Sequence, residues 1–84
     1  MNNVIMRKIV VTDAYQPLAD ASLVGSVTIT CAPGNAAPVA FQGDDGSDVP
    51  WAAGEFHSFR SVDLATIQVK GTAGDVVTVV GGTW

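Results

Sequence analysis

Residues 23–31 alternate between apolar or small side chains and polar ones, and this pattern constrains the fold more than any other part of the chain. The first set is Leu23, Gly25, Val27, Ile29 and Cys31, and the second is Ser26, Thr28 and Thr30. A period of two places one set on each face of a β-strand. The segment therefore predicts a half-buried strand over residues 23–31.

The composition extends this prediction to the whole chain of 84 residues. Val, Ile and Thr supply 13, 4 and 7 residues, whereas Leu, Glu and Lys supply only 3, 1 and 2. β-branched side chains are favoured on a pleated surface and lose rotamer freedom in a helix. Apolar segments separated by turn residues predict strands near 4–12, 23–31, 38–43, 55–61, 63–70 and 76–80. We expect an all-β fold, a small antiparallel β-sandwich or partly closed barrel of about six strands.

The length allows one domain, residues 1–84, with residues 1–8 predicted as an extended arm and 81–84 as a short tail. Residues 71–75 predict a turn that joins the last two strands into a hairpin. In the last strand Val77 and Val79 point away from Val76 and Val80, so both faces are apolar. This pattern predicts a sandwich interior on one side and a subunit contact on the other.

Charge and cysteine content exclude several classes of partner. Four basic residues against eight acidic ones, spread along the chain, give no basic patch for nucleic acid or for a membrane surface. The apolar runs are too short to span a bilayer. Cys31 has no cysteine to pair with and lies in an apolar alternation, which predicts a buried thiol in a protein assembled in a reducing cytoplasm.

The residues predict no enzyme, cofactor or nitrogen–sulfur metal site. His57 is the only histidine, and Ser58, Cys31 or Asp63 could in principle complete a catalytic group with it. No nucleophile elbow or glycine-rich catalytic motif accompanies these residues. His57 and Cys31 alone are also fewer than the three or four ligands that zinc needs.

The segment Asp44–Asp48 is acidic and contains an Asp-Gly pair, which is typical of a tight hairpin turn. Calcium takes six to eight oxygen ligands, so a calcium site is the alternative interpretation. The segment lacks the alternating Asp positions and distal Glu of a helix-loop-helix calcium site. An acidic hairpin tip is the favoured prediction.

Two tryptophans raise the question of an interface, since tryptophan is enriched in binding surfaces. The alternative is that one or both cap a small core. The candidate interface consists of Trp51, Trp84, Val77, Val79 and Ile5. A different class of function, carbohydrate binding, would use Trp51, Trp84 or Tyr15 as stacking platforms.

Most of residues 9–82 resemble a class of small tailed-bacteriophage virion proteins, which are short β-sandwich chains often encoded near capsid genes. The residues that carry the resemblance are Ser26–Thr30 as a core strand, Asn35 with Ala37–Phe41 opening a central hairpin, Ala53–Phe59 as a turn and strand, and Val62–Asp75 with its Gly-Thr-x-Gly-Asp ending, preceded by Val10–Asp13 and Gln16–Leu18. Ala53 stands where a proline is commoner in the class.

The resemblance implies a structural role in the virion and no catalytic residue. The expected function is capsid decoration: a cement protein that binds the major capsid protein, or another virion protein, as a small homo-oligomer. A trimer would suit the local three-fold points of a capsid lattice. The alternative within the virion is a head–tail, baseplate or fibre component.

Overall fold

The fold is seen in a computed structural model that describes residues 3–84, and it consists of strands with one 3₁₀ turn in that range. The strands are β1 (Val4–Val10), β2 (Gln16–Pro17), β3 (Val24–Cys31), β4 (Val39–Gln42), β5 (Val49–Trp51), β6 (Phe56–Asp63), β7 (Gln68–Lys70) and β8 (Val76–Gly82), with the turn at Leu64–Thr66. The predicted all-β class is confirmed. Two more strands are present than expected because β2 and β5 are too short to show a periodic pattern.

The strands form two four-stranded sheets whose pairs are all antiparallel. The first sheet has the order β1-β8-β3-β6 and the second has the order β2-β7-β4-β5. Because the two sheets share no hydrogen-bonded strand pair in the described chain, the fold is a sandwich and not a partly closed barrel. The edge strands of the second sheet, β2 and β5, have only two and three residues, which leaves little open hydrogen-bonding edge in that sheet.

The core between the sheets is formed by inward-pointing side chains of the strands and by residues of the connecting segments. Its buried apolar members are Ile5, Val11, Leu18, Ala19, Val27, Ile29, Cys31, Val39, Phe41, Trp51, Leu64, Val69, Val77 and Val79. The predicted burial of Cys31 is confirmed, and burial, with the nearby charge of Glu55, raises the pKa of its thiol to about 11. The alternation that predicted β3 therefore also identified its core face.

Four of the five predicted interface residues are core residues, so that prediction is wrong for them. Val77 and Val79 are fully buried, and Ile5 and Trp51 expose only 5% and 6% of their surface. β8 lies between β1 and β3, so its inward side chains meet the opposite sheet. β8 does have two apolar sides, as expected, but the side that points away from the core consists of Val76 and Val80.

Three further expectations are corrected by the strand pairing. β7 and β8 do not form a hairpin, because they belong to different sheets and residues 71–75 cross between them. Residues 4–8 form most of β1 and pair with β8, so they are no arm; residues 1 and 2 lie outside the described residues. Gly81 and Gly82 belong to β8 rather than to a tail.

Phe56 and Phe59 are three positions apart, so regular strand alternation places them on opposite faces of β6. The register between β3 and β6 does shift, opposite residues 25–27, and Ser61 adopts a positive φ of 53° there. Phe59 points inward and is half-buried, whereas Phe56 points outward and is 61% exposed. The bulge lies after both rings, so it does not bring them to one face.

Candidate interaction surface

The side chains that point away from the core on the first sheet form a continuous surface, which we call the outer face. Strand alternation assigns to it Val4, Met6, Lys8 and Val10 of β1, Val76, Thr78 and Val80 of β8, Val24, Ser26, Thr28 and Thr30 of β3, and Phe56, Ser58 and Arg60 of β6. Trp84 packs onto the same side. Asp63, which pairs with Val24 at the end of β6, is the one acidic residue that the described strand register places on this face, and its carboxylate accepts hydrogen bonds from Ser22, Leu23 and Ala65.

The outer face exposes large apolar side chains next to one another. Met6 is 70% exposed and lies directly opposite Val80, which is 51% exposed. In the row that begins with Lys8, the pairing continues through Thr78 and Thr30 to Phe56 at the other edge of the sheet. Single exposed apolar residues are ordinary on a protein surface, whereas a contiguous set marks a site of interaction.

Trp84 is exposed and yet fixed in place. Its indole ring lies on the backbone of Gly82, where an added Cβ would come within 1.8 Å of the ring. The Ser26 hydroxyl donates to the backbone oxygen of Trp84 at 2.9 Å. The neighbouring residue Thr83 makes two hydrogen bonds with Asn3. The Thr83 backbone N–H donates to the Asn3 carbonyl oxygen at 3.0 Å, and the Asn3 backbone N–H donates to the Thr83 hydroxyl oxygen at 2.7 Å. An ordered, exposed tryptophan loses little side-chain entropy on binding, as expected of an interface anchor.

A groove of about 460 Å³ lies beside Trp84 on the outer face. Its walls include Ser26, Arg60 and the hydrogen-bonded hydroxyls of Thr28 and Ser58, whose oxygens are 2.9 Å apart. Neither Arg60 nor Lys8 forms an ion pair within residues 3–84. The outer face therefore combines exposed apolar side chains and a band of hydroxyl-bearing residues with two positive charges that have no ion-pair partner in the described chain, although the whole chain carries a net charge of −4.

The opposite side of the sandwich is polar. The outward residues of β4 and β7 are Ala40, Gln42, Gln68 and Lys70. Beside them the Tyr15 hydroxyl donates to Asp48, and the Lys70 ammonium lies 4.7 Å from the centre of the Tyr15 ring. Burial and the bond to Asp48 raise the pKa of Tyr15 to about 12, and the same bond holds the pKa of Asp48 below its usual value. These groups satisfy one another, so the exposed apolar surface is concentrated on one side.

The catalytic candidates are not brought together. His57 points inward at the sheet edge, where its Nε2 lies 2.7 Å from Oε2 of Glu55 and lowers the pKa of that carboxylate. Ser58 points to the outer face, and the Asp63 carboxylate accepts from Ser22, Leu23 and Ala65. Cys31 is inside the core. This geometry gives His57 a carboxylate partner but no nucleophile.

The acidic segment forms the tip of the β4–β5 hairpin, as predicted. Gly46 adopts a φ of 75° and the Asp45 carboxylate accepts from the Ser47 backbone N–H at 2.9 Å. No group of three or more His, Cys, Asp or Glu side chains that could hold a metal occurs within residues 3–84. The structure therefore describes a turn and offers no support for the calcium alternative.

Reasoning from the sequence missed most of the outer face. In β1 and β8 the sequence contains a second set of alternating apolar residues, on the side opposite the core: Val4, Met6, Val10 and Val80. The alternation in β8 does indicate two apolar faces. It does not show which face is buried, and Val77 and Val79, which were predicted to form the interface, lie in the core. Phe56 gave no periodic signal because its neighbours on that parity, Ser58 and Arg60, are polar.

Comparisons with protein-family models, curated proteins and solved structures returned no significant match to this chain. Among the described residues no helix has the length and apolar character needed to cross a membrane.

Proposed function

We propose that this chain is a bacteriophage virion structural protein, and specifically a capsid decoration protein that stabilises the head shell by non-covalent binding through its outer face. The observation that carries the proposal is the apolar outer face with its fixed, exposed Trp84. The resemblance of residues 9–82 to small tailed-phage virion proteins supplies the biological setting. The proposed mechanism is passive, since burial of apolar area between shell subunits opposes their separation.

The dimensions of the molecule suit such a contact. Its longer dimensions are 37 and 26 Å and its thickness is 18 Å, so one broad side encloses at most about 960 Å². A standard protein interface buries about 800 Å² on each partner. Nearly the whole outer face would have to be covered, which agrees with the spread of apolar residues from β1 to β6. Many copies on a shell would add avidity to each contact.

The partner's chemistry follows from the charges on the outer face. Lys8 and Arg60 lie in strands at opposite edges of the sheet, and neither forms an ion pair within residues 3–84. The capsid surface that contacts the outer face is proposed to be apolar in its centre and acidic at its rim. The homo-oligomer, with a trimer favoured, belongs to the same proposal, with the sheet edges left for contacts between copies.

Co-sedimentation with undecorated capsids tests the proposal. Native protein should pellet with the capsids at saturating stoichiometry, and Val80→Glu or Met6→Glu should remain in the supernatant because each places a charge in the apolar contact. The matched control is Gln68→Glu, which adds the same charge on the polar side and should pellet normally. Native protein that stays in the supernatant would refute decoration.

A head–tail, baseplate or fibre component could use the same outer face. Copy number separates these positions: hundreds of copies per particle by quantitative mass spectrometry indicate the shell, and tens or fewer indicate the tail or a vertex.

Carbohydrate binding is the second candidate because Trp84, Arg60 and the Thr28–Ser58 hydroxyls line one groove. A glycan array with native protein and Trp84→Ala would show binding that is lost in the variant if this candidate is correct.

A further inference from the structure

A second concave site lies inside one edge of the sandwich, away from the outer face. β5 and β6 are the edge strands of the two sheets, and the space between them is lined by Phe41, Trp51 and Phe59 together with the β4–β5 hairpin tip. Its volume is about 240 Å³. We call it the aromatic cavity. None of its lining residues belongs to the outer face.

The three rings are ordered against one another. Phe41 and Trp51 stack with their centres 3.8 Å apart, and Phe59 is nearly parallel to Trp51 at 6.3 Å. His57 packs edge-on to Trp51 at 4.6 Å. Phe41 and Trp51 cover each other's faces and expose only 4% and 6% of their surface, so the walls contribute mainly apolar contact area, and the half-buried Phe59 is the most accessible of the three rings.

The mouth of the aromatic cavity adds full negative charge. Asp44 and Asp45 line it at the hairpin tip, and no Lys or Arg of the described chain does so. The Ser47 backbone N–H holds the pKa of Asp45 below its usual value, so this carboxylate is ionised at neutral pH. Nothing in the cavity would neutralise these charges, and the net charge of −4 on the chain acts in the same direction.

We propose that the aromatic cavity binds a small organic cation, an ammonium, amidinium or guanidinium group carried on a single ring or a short apolar stem. The volume sets the size, since about 150 Å³ holds one benzene ring and drug-sized ligands need about 300–1,000 Å³. The rings would contact the apolar body of the ligand, and Asp44 and Asp45 would receive its positive charge. The cation could be a free molecule or an arginine side chain of a neighbouring protein.

Titration with benzamidine, followed by the indole N–H signals in two-dimensional NMR, tests this proposal. We expect a dissociation constant of about 1–10 mM for so small a ligand, with the Trp51 signal moving and the Trp84 signal serving as an internal reference. Benzyl alcohol and benzoate, which have a similar ring without the positive charge, should bind at least about fivefold more weakly. Equal binding of benzamidine and benzyl alcohol, or no movement of Trp51, would overturn the proposal.

The carboxylates are tested by a charge-matched pair of variants. Asp44→Asn with Asp45→Asn should weaken benzamidine binding about fivefold or more, whereas Asp13→Asn with Asp20→Asn removes the same charge elsewhere and should leave it unchanged. Equal weakening by both variants would show that net charge alone acts. Acetyl-arginine amide, titrated in parallel, distinguishes a free cation from an arginine side chain of a neighbouring protein. Tighter binding of acetyl-arginine amide than of benzamidine would identify the arginine side chain as the ligand, and weaker binding would identify the free cation. None of these results depends on capsid binding.

Discussion

The side-chain amide of Asn35 pairs with both backbone polar groups of Val76. Its Nδ2 donates to the Val76 oxygen at 3.0 Å and its Oδ1 accepts from the Val76 N–H at 2.8 Å. Next to it, the Asp75 carboxylate, only 8% exposed, accepts from the backbone N–H groups of Ala36 and Ala37 at 3.0–3.3 Å. These hydrogen bonds hold the segment that crosses from the second sheet to the first, residues 71–75, against the loop that follows β3.

Asn35→Ala should destabilise the fold by about 1–3 kcal/mol, because the partly buried Val76 N–H loses its partner and the Val76 oxygen keeps only the Ala32 N–H. Urea denaturation followed by circular dichroism would measure the change in the free energy of unfolding. Gln68→Ala, which truncates an amide on the polar side, should change stability by less than about 0.5 kcal/mol. A similar loss in both variants would contradict the role given to Asn35.

Asp63 should make stability depend on acid pH. Hydrogen bonds from the Ser22 hydroxyl and from the backbone N–H groups of Leu23 and Ala65 lower the pKa of its carboxyl below the usual value. A carboxyl with a lowered pKa in the folded state contributes stability above its unfolded pKa of about 4, and this contribution is lost as the pH falls through the folded value.

Thermal melts between pH 7 and pH 2.5 would measure the Asp63 effect. Asp63→Asn should lower the melting temperature at pH 7, and its difference from the native protein should shrink as the pH falls toward 2.5, because protonation of Asp63 removes the charge that its hydrogen bonds stabilise. Asp20→Asn serves as the control on an exposed loop. An unchanged gap between Asp63→Asn and native protein across the pH range would show that the charge is irrelevant.

Cys31 should be protected from thiol reagents in the folded protein. The side chain is fully buried, and the pKa raised to about 11 leaves little thiolate at pH 8. Labelling with a chromogenic disulfide reagent should be slow in buffer and complete within the mixing time in 6 M guanidinium chloride. Rapid labelling of native protein at pH 8 would contradict this burial.

Alternation and composition were sufficient to predict the class of the fold and the core face of β3, because a period of two directly reports which side chains share a face. They could not predict which strands are neighbours. The turn at residues 71–75 looks like a hairpin locally, but the crossover is decided by long-range bonds such as those of Asn35 and Asp75. The same limit explains the interface residues: an apolar pair such as Val77 and Val79 is equally suited to a core and to a contact, and only the sheet order separates them.

Gly82→Ala should release Trp84 from the outer face. An added Cβ would overlap the indole ring, so the ring must move away while the strand pairing with β1 and β3 can remain. We expect a red-shifted, more solvent-exposed Trp84 fluorescence in a Trp51→Phe background, and weaker binding to capsids. The control is Gly43→Ala, because the space beside Gly43 is open and the substitution should change neither property. If Gly82→Ala frees the ring without reducing capsid binding, Trp84 is not an anchor of the contact, and the apolar side chains of β1 and β8 must supply its affinity.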